Sequence, residues 1–450
     1  MFEVVVVKNK YPIGTLTETN KAIIFEYFEE VNPDSYLMGL KKETNSSNIL
    51  FPIFENLLPE NEQLESLKVK YKIKNKIGIL LYLSNIHGSF EFYAKDDFKK
   101  KNLEAESIFT YSDEIDNILD QNYQFPNILE YTLDIPFDKL YPVEFNNNKL
   151  TGLSGFQYKF SVDLDKKNKV IKYNHSDNSE YIMKPYNKGH SVYKPLDKDS
   201  SYIPYLLVNE HIFMSIARDF GFKVPYNAII EHNGDYHYLI KRYDRFNGMK
   251  IDHHEILTLL DKQSKDKYKV FAVTAIQKAS EYLNKKETKE LFRFFIFSTI
   301  IAHGDFHAKN ISLIYKTNAL NETKMQLAPY YDISTVGIYS GIDNNDIGMK
   351  IKNKNIKISI EDFIWLGSKF SISEDETRTY VTELSNKFKD DFLGYIDLLP
   401  KHIKSLPYYT NRYMNFNSLD VIFKKYYDKR INYIDKYLLK IKKVKEDIWG

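Results

Sequence analysis

The opening F-E-V-V-V-V run, turn chemistry at Asn9-Lys10 and apolar segments at Ile13 to Leu16 and Ala22 to Phe28 predict a short β unit. Between Phe51 and Glu60, Ile53, Phe54, Leu57 and Leu58 have helical spacing, and Pro59 stops the run. Ile77 to Leu83 reads as another helix, leading through Gly88 into the strand S-F-E-F-Y. At Thr151 the pattern changes. T-G-L-S-G-F-Q-Y-K-F-S-V carries two glycines three apart, then an alternating strand from Lys159 to Leu164. E-Y-I-M-K-P predicts the next strand, ending near Lys184. Pro204 to Phe220 has the apolar stripe of an amphipathic helix (Leu206, Leu207, Ile212, Phe213, Ile216, Ala217), with Gly221 and Pro225 beyond its end. Asn233-Gly234 between two alternating runs predicts a hairpin. Glu255 to Ala302 is mostly helical, and its last segment, apolar nearly all round, predicts a core helix. Strands at Ile311 to Tyr315 and Met325 to Ala328 follow, and the chain beyond about 355 reads as helices.

Composition narrows the classes. Hydrophobic residues are 43% and charged residues 28%, a globular profile, and the net charge of +2 supplies no global basic field for nucleic acid. The absence of cysteine excludes disulfides and zinc–thiolate sites. Neither His253-His254 nor the His303/His307 pair forms a zinc motif. The longest central apolar run, Phe294 to Ala302, is far short of the roughly 18 to 20 residues of a membrane span. A soluble, cytoplasmic protein without membrane contact is expected. The last stretch, from Lys424, is rich in Lys and Arg; it reads as a solvated helix face or as a nucleic-acid or partner contact.

The candidate chemistry lies in Ala302 to Asn310, A-H-G-D-F-H-A-K-N, with Asp332 downstream in P-Y-Y-D-I-S. A carboxylate, a carboxamide five residues on and a second carboxylate are what kinase-type phosphotransfer requires. Asp305 would accept the proton of an attacking hydroxyl, while Asn310 and Asp332 would hold Mg2+ on ATP. Taken alone, the stretch equally fits an ordinary polar loop. The glycines before Lys159 let backbone N–H groups approach phosphate, though a plain β-turn fits too, and neither G-x-x-x-x-G-K-[ST] nor G-x-G-x-x-G occurs. Lys184, placed among apolar residues, calls for an anionic partner such as phosphate or else snorkels from a strand end. Glu210 either pairs with it or is solvated. Lys241-Arg242-Tyr243 fall where a kinase joins its lobes and its backbone holds adenine. The order of these parts is the stronger signal: glycine turn, strand lysine, helix glutamate, hairpin, linker, helices, Asp-x4-Asn, hairpin, Asp.

In that order, F-E-N-L-L-P-E, S-G-F-Q-Y-K-F-S-V, I-M-K-P, V-N-E, K-R-Y-D-R, G-D-F-H-A-K-N-I-S and L-A-P-Y-Y-D-I-S make the chain resemble the HipA-type serine/threonine kinases, toxins of bacterial toxin–antitoxin pairs. The resemblance implies an α+β, two-lobed protein-kinase-like fold with a small N-terminal α/β module and a mainly helical C-terminal lobe. It divides the chain into an N-terminal module (1–95), a connecting segment (96–149), an N-lobe with glycine loop, ATP lysine and hinge (150–245) and a helical C-lobe (246–450). It implies Asp305 as base and Asn310 with Asp332 as Mg2+ ligands. Ser154, Gly155, Phe156, Gln157 and Lys159 would cover the triphosphate, Lys184 would contact it, and Lys241, Arg242 and Tyr243 would line the adenine hinge. His307, Lys309 and Tyr331 would lie on the nucleotide side. A protein substrate, with aminoacyl-tRNA synthetases as targets in the family, and a small helix-turn-helix antitoxin follow, with DNA reached only through the antitoxin. One departure is visible. Self-inactivating members carry a serine three residues before the loop glycine; here that position is Gly152, which leaves Thr151 or Ser154 as shifted phosphosites or the switch lost. An aminoglycoside- or choline-type small-molecule kinase, or a pseudokinase binding module, are the competing readings.

Overall fold

A computed structural model describes residues 2–31, 37–59, 64–65, 68–69, 71–83, 86–98, 115–136, 159–174, 179–187, 202–317, 323–340, 342, 345–409 and 415–440. The chain is mixed α+β. β1 (Phe2–Lys8), β2 (Tyr11–Glu18), β3 (Ile23–Tyr27), β4 (Asn45–Ser47) and β5 (Phe90–Ala94) form an antiparallel sheet in the order β4-β3-β2-β1-β5. Val4 to Val7 are all buried, and Val4 and Val6 pack into the core on one face of this sheet. The helix expected from Phe51 is a single turn, Pro52–Glu55, and Ile77 to Leu83 is a 3-10 turn, Gly78–Tyr82. Both are held by burial of Ile53, Phe54, Ile79 and Leu80 in the sheet's core, which needs no longer helix.

A second, seven-stranded sheet follows the order β6-β11-β12-β10-β8-β9-β7. Its members are β6 (Ile128–Leu129), β7 (Thr132–Asp134), β8 (Phe160–Asp165), β9 (Val170–Tyr173), β10 (Tyr181–Lys184), β11 (Asn227–His232) and β12 (Asp235–Lys241). β6 and β7 come from the segment read as a connector, and they add in parallel to opposite edges. The β11–β12 hairpin turns through Asn233 and Gly234 at φ 53° and 81°, the positive values a two-residue turn of this kind requires. Across strands β11 and β12 packs the Leu206–Asp219 helix, buried without interruption from Leu207 to Ala217. It ends in a Schellman closure: Phe222 N donates to Ala217 O at 3.0 Å and Gly221 N to Arg218 O at 2.9 Å, with Gly221 at φ 88°.

After a small hairpin, β13 (Arg245–Phe246) and β14 (Met249–Lys250), a three-stranded antiparallel sheet joins β15 (His253–Glu255), β16 (Ser312–Thr317) and β17 (Thr323–Leu327). The Lys285–Ile300 helix starts at a capping box. Asn284 accepts from Glu287 N at 3.0 Å, and Asn284 N donates back to the Glu287 side chain. Its Leu291 to Ile300 stretch is almost wholly buried, as its apolar sequence predicts. Beyond 355 the described residues are mainly helical, with helices Ile360–Ser368, Glu374–Leu398 and Leu419–Tyr433, but a hairpin, Pro407–Tyr409 with Phe416–Ser418, interrupts them. No helix among the described residues is long and apolar enough to cross a membrane.

Candidate active site

Lys184 is the last residue of β10, paired with Tyr238 of β12 and 5% exposed. Its Nζ donates to Glu210 Oε1 at 2.7 Å and Oε2 at 2.9 Å, and to Asp332 Oδ1. Burial alone would discharge this ammonium, but Asp332 and Glu210 outweigh burial and hold its pKa above the usual lysine value. The two carboxylates diverge. Burial pushes Glu210 up to about 7, only partly countered by Lys184. Burial acts on Asp332 in the same sense, yet Lys184 and Lys159 overcome it and hold Asp332 well below the usual carboxylate range. Asp332, 32% exposed at its side chain, is therefore a charged oxygen donor facing solvent, whereas Glu210 is sealed in the helix.

The backbone around Asp332 is fixed from two sides. Asp332 has φ 54°, a left-handed conformation that costs energy and persists only where surroundings impose it. His303 Nε2 donates to its carbonyl at 3.0 Å, and burial holds this histidine down at about 4, hence neutral. Asn209, beside Glu210 and fully buried, donates to Thr335 O at 2.8 Å and accepts from Thr335 N at 3.2 Å. One helix thus aims Glu210 at Lys184 and holds the segment that carries Asp332.

His303 to Asn310 leaves the Lys285–Ile300 helix through Ala302, itself at φ 53°. A Cβ on Gly304 would meet Val336 Cγ2 at 2.5 Å, so the loop closes on the Asp332 segment only because that residue is glycine. Asn310 is buried and accepts from His307 N at 3.0 Å through Oδ1, tightening the loop into a turn. Asp305 is half-buried and accepts a hydrogen bond from the Tyr268 hydroxyl. Ala328 N donates to Ser312 O at 2.9 Å across β16 and β17, so Asn310 before the hairpin and Asp332 after it lie at one end of it.

The remaining expected residues are placed as follows. Ser154, Gly155, Phe156 and Gln157, with Thr151 and Gly152, lie outside the described residues. Lys159 is exposed immediately before β8, close enough for its charge to act on Asp332. Lys241 N donates to Tyr226 O at 2.8 Å and Arg242 N to Glu180 O at 2.7 Å, so both amides of the expected hinge are engaged by backbone carbonyls. The Arg242 guanidinium grips Asp244 at 2.8 Å and Ile86 O at 2.9 Å, turned toward the N-terminal sheet module. Tyr243 is buried against Tyr331 and His253. The Tyr331 hydroxyl donates to Lys309 O at 2.6 Å. Lys309 Nζ donates to Asn56 O and to Ser264 Oγ, both at 3.2 Å. His307 is buried, with Tyr268 edge-on at 5.1 Å between ring centroids.

Four contributors escape sequence reasoning. Asn209 sits in the V-N-E motif, where adjacency to Glu210 was its signal. Tyr268 and Asn56 carry no local signal for a role at the loop. Arg430, counted in the basic tail, is buried, and it donates to Ile300 O at 2.8 Å, Thr299 O at 2.5 Å and Asp346 Oδ1 at 2.7 Å. It thus satisfies the last carbonyls of the helix that feeds His303. The tail's Lys424, Lys425, Lys429, Lys436 and Lys440 are exposed, as a solvated face would be. Among the described residues, one group has metal-ligand geometry, His87, Asp244 and His253, but two guanidiniums already hold Asp244 and oppose a cation there. A cavity of about 590 Å³ lies between Gly39 to Pro52 and Asp261 to Asp266, and none of the expected site residues lines it.

Fold and site together define a mixed α+β protein whose lysine–glutamate–aspartate cluster adjoins an H-G-D-x4-N loop. The family model for the HipA N-terminal domain matches residues 4–88, and that for the HipA-like C-terminal domain matches residues 151–392, more than half of the chain. The chain belongs to the HipA-like family. A Haemophilus influenzae protein named "Putative kinase" is 28% identical over 233 residues, covering 48% of this chain and 62% of that protein. "Putative kinase Y4dM" of Sinorhizobium fredii is 26% identical over 200 residues, covering 40% and 47%. The chain thus spans less than two thirds of either relative's length. Among solved structures, HipA in the Shewanella oneidensis complex with HipB and operator DNA superposes with a TM-score of 0.67 at 15% identity, over 96% of this chain and 97% of that one.

Proposed function

We propose that the chain is an ATP- and Mg2+-dependent serine/threonine protein kinase with a two-lobed arrangement, the toxin of a cytoplasmic toxin–antitoxin pair. Its substrate would be a protein such as an aminoacyl-tRNA synthetase. The observation that carries the reading is Lys184, buried and bonded at once to Glu210 and Asp332. Such a lysine is held charged beside a solvent-facing carboxylate, which suits it to orient a triphosphate while Glu210 fixes its position. Asn310 and Asp332 offer an amide oxygen and an ionised carboxylate, hard donors of the kind Mg2+ takes, so the residues fit the ion. Asn310 and Asp332 would hold the ion, which would offset phosphate charge. Asp305 orients the acceptor hydroxyl and takes its proton as the oxygen attacks the γ-phosphorus, while the bond to the β,γ-bridging oxygen breaks and ADP leaves. His303 keeps the Asp332 backbone in place through its donated bond.

The partner set follows the same reading: a small helix-turn-helix antitoxin, with DNA reached through it. The test is transfer of labelled phosphate from Mg-ATP to a protein band in cell lysate. Asp305→Asn should lower transfer by about 10² to 10⁴. Transfer that survives this substitution rejects the assignment of the base, and label confined to small molecules points to a small-molecule kinase. Phosphopeptide mapping after incubation with ATP tests Thr151 and Ser154 as self-modification sites.

A further inference from the structure

Tyr268 belongs to the 3-10 turn Ser264–Lys269, which lies between the N-terminal module and the candidate catalytic loop. The turn is braced at three points. Ser264 N donates to Glu55 Oε2 at 2.9 Å, Ser264 Oγ donates to Asn56 Oδ1 at 3.1 Å, and Lys267 O accepts from Ala308 N at 3.4 Å. From this brace the Tyr268 side chain reaches over His307, edge-on, and its hydroxyl donates to Asp305 Oδ1. Tyr268 is 42% exposed, so the residue that covers Asp305 is itself open to solvent and to an incoming acceptor.

A hydroxyl that donates to the catalytic carboxylate does what an acceptor hydroxyl must do just before transfer. Two hydroxyls cannot both occupy that Oδ1 position in productive geometry. We propose that Tyr268 occupies the acceptor subsite of Asp305 in the resting chain and selects for acceptors that displace it. This rests on Asp305 serving as the base. The expected acceptor is a hydroxyl carried on a polypeptide, whose further contacts offset the loss of the tyrosine bond. Water and small alcohols lack such contacts and compete poorly. The brace through Glu55 and Asn56 sets the height of the tyrosine, which gives the N-terminal module a part in acceptor choice.

The experiment uses water as the acceptor, because it needs no knowledge of the protein substrate. ATP hydrolysis by the full chain with Mg-ATP is compared for wild type, Tyr268→Phe, Tyr268→Ala, Asp305→Asn and Tyr268→Phe/Asp305→Asn. The phenylalanine variant keeps the ring and should raise kcat for hydrolysis about three- to tenfold with KM for ATP unchanged. The alanine variant should raise it at least as much, and the double variant should lose the gain. A fall in kcat for Tyr268→Phe overturns the proposal, since the hydroxyl would then be aligning the base. An unchanged rate overturns it too. If Asp305→Asn leaves both hydrolysis and protein phosphorylation at wild-type levels, the kinase assignment of Asp305 fails, and the role of Tyr268 falls with it.

Discussion

Arg430 donates to the carbonyl of Thr299 across 131 positions of sequence, and to that of Ile300 beside it, at the helix end that leads into His303. The same guanidinium holds the buried carboxylate of Asp346 at 2.7 Å. Arg430→Met removes all three bonds and strands Asp346 without its cation. The expected loss is about 3 kcal/mol of stability, read from urea unfolding. In the kinase assay kcat should fall more than the KM for ATP rises, because the loop that carries Asp305 is the part left unsupported. Equal stability in the variant would contradict this.

Lys184 and Glu210 should differ in what their removal costs. Lys184→Met removes an ammonium bonded to both carboxylates and should lower kcat/KM for ATP by about 10². Glu210→Gln keeps an oxygen acceptor for Lys184 and should cost only about tenfold. Steady-state kinetics with varied ATP separates them, and a larger loss in the glutamine variant would reverse the ranking argued from the contacts.

Stability should fall as pH drops from 6.5 toward 4. Burial depresses His211, His237 and His253 to about 4 and His254 to about 3, from an ordinary 6.5. Each contributes stability that is fully present above 6.5 and lost as pH falls through the folded value. Glu210 acts in the opposite sense: raised to about 7, its contribution is present below its ordinary 4.5 and lost as pH rises through 7. His303, also held down at about 4 by burial, acts in the same sense as those histidines, and together they outweigh Glu210 and decide the sign. Urea midpoints at pH 7 and pH 4.5 check it; a higher midpoint at pH 4.5 would refute it.

Asp244 is the node between the two matched regions. Its carboxylate accepts from Arg242 and Arg245, and from Gly88 N at 2.9 Å, while both arginines also reach Ile86 O. Burial opposes the charge, but the two guanidiniums hold Asp244 well below the usual carboxylate range. Asp244→Ala leaves two buried cations facing each other and should destabilise the junction by about 3 to 5 kcal/mol. Limited proteolysis should then release a fragment ending near residue 95, which the wild type resists. Identical digestion patterns would count against the junction's importance.

Local pattern reached some of this architecture and missed the rest for a physical reason. Asn233-Gly234 specifies its own turn, and Lys184 and Glu210 stand out because charges are rare inside apolar runs; each is a signal contained in a few residues. Arg430 was hidden among lysines that are exposed, since composition cannot distinguish one arginine capping a distant helix from its solvated neighbours. The hydrogen bond from the Lys309 ammonium to the Asn56 carbonyl of a separate sheet module has no local signal either. The Tyr268 contact depends on how a brace and a loop meet, which periodicity does not encode. Burial is written in local sequence; the identity of a long-range partner is not.

The Asn56 carbonyl on Lys309, the Asp244 node and the buried Lys8–Asp252 pair at 3.0 Å sew the first sheet to the segment 242–264 and to the loop. Two regions that family models match separately are therefore one unit for the protein engineer. A chimera that exchanges residues 1 to 95 between relatives would carry over Lys8 and Asn56 while leaving their counterparts behind. Grafts of this first region should work only when residues 242–264 and Lys309 travel with it.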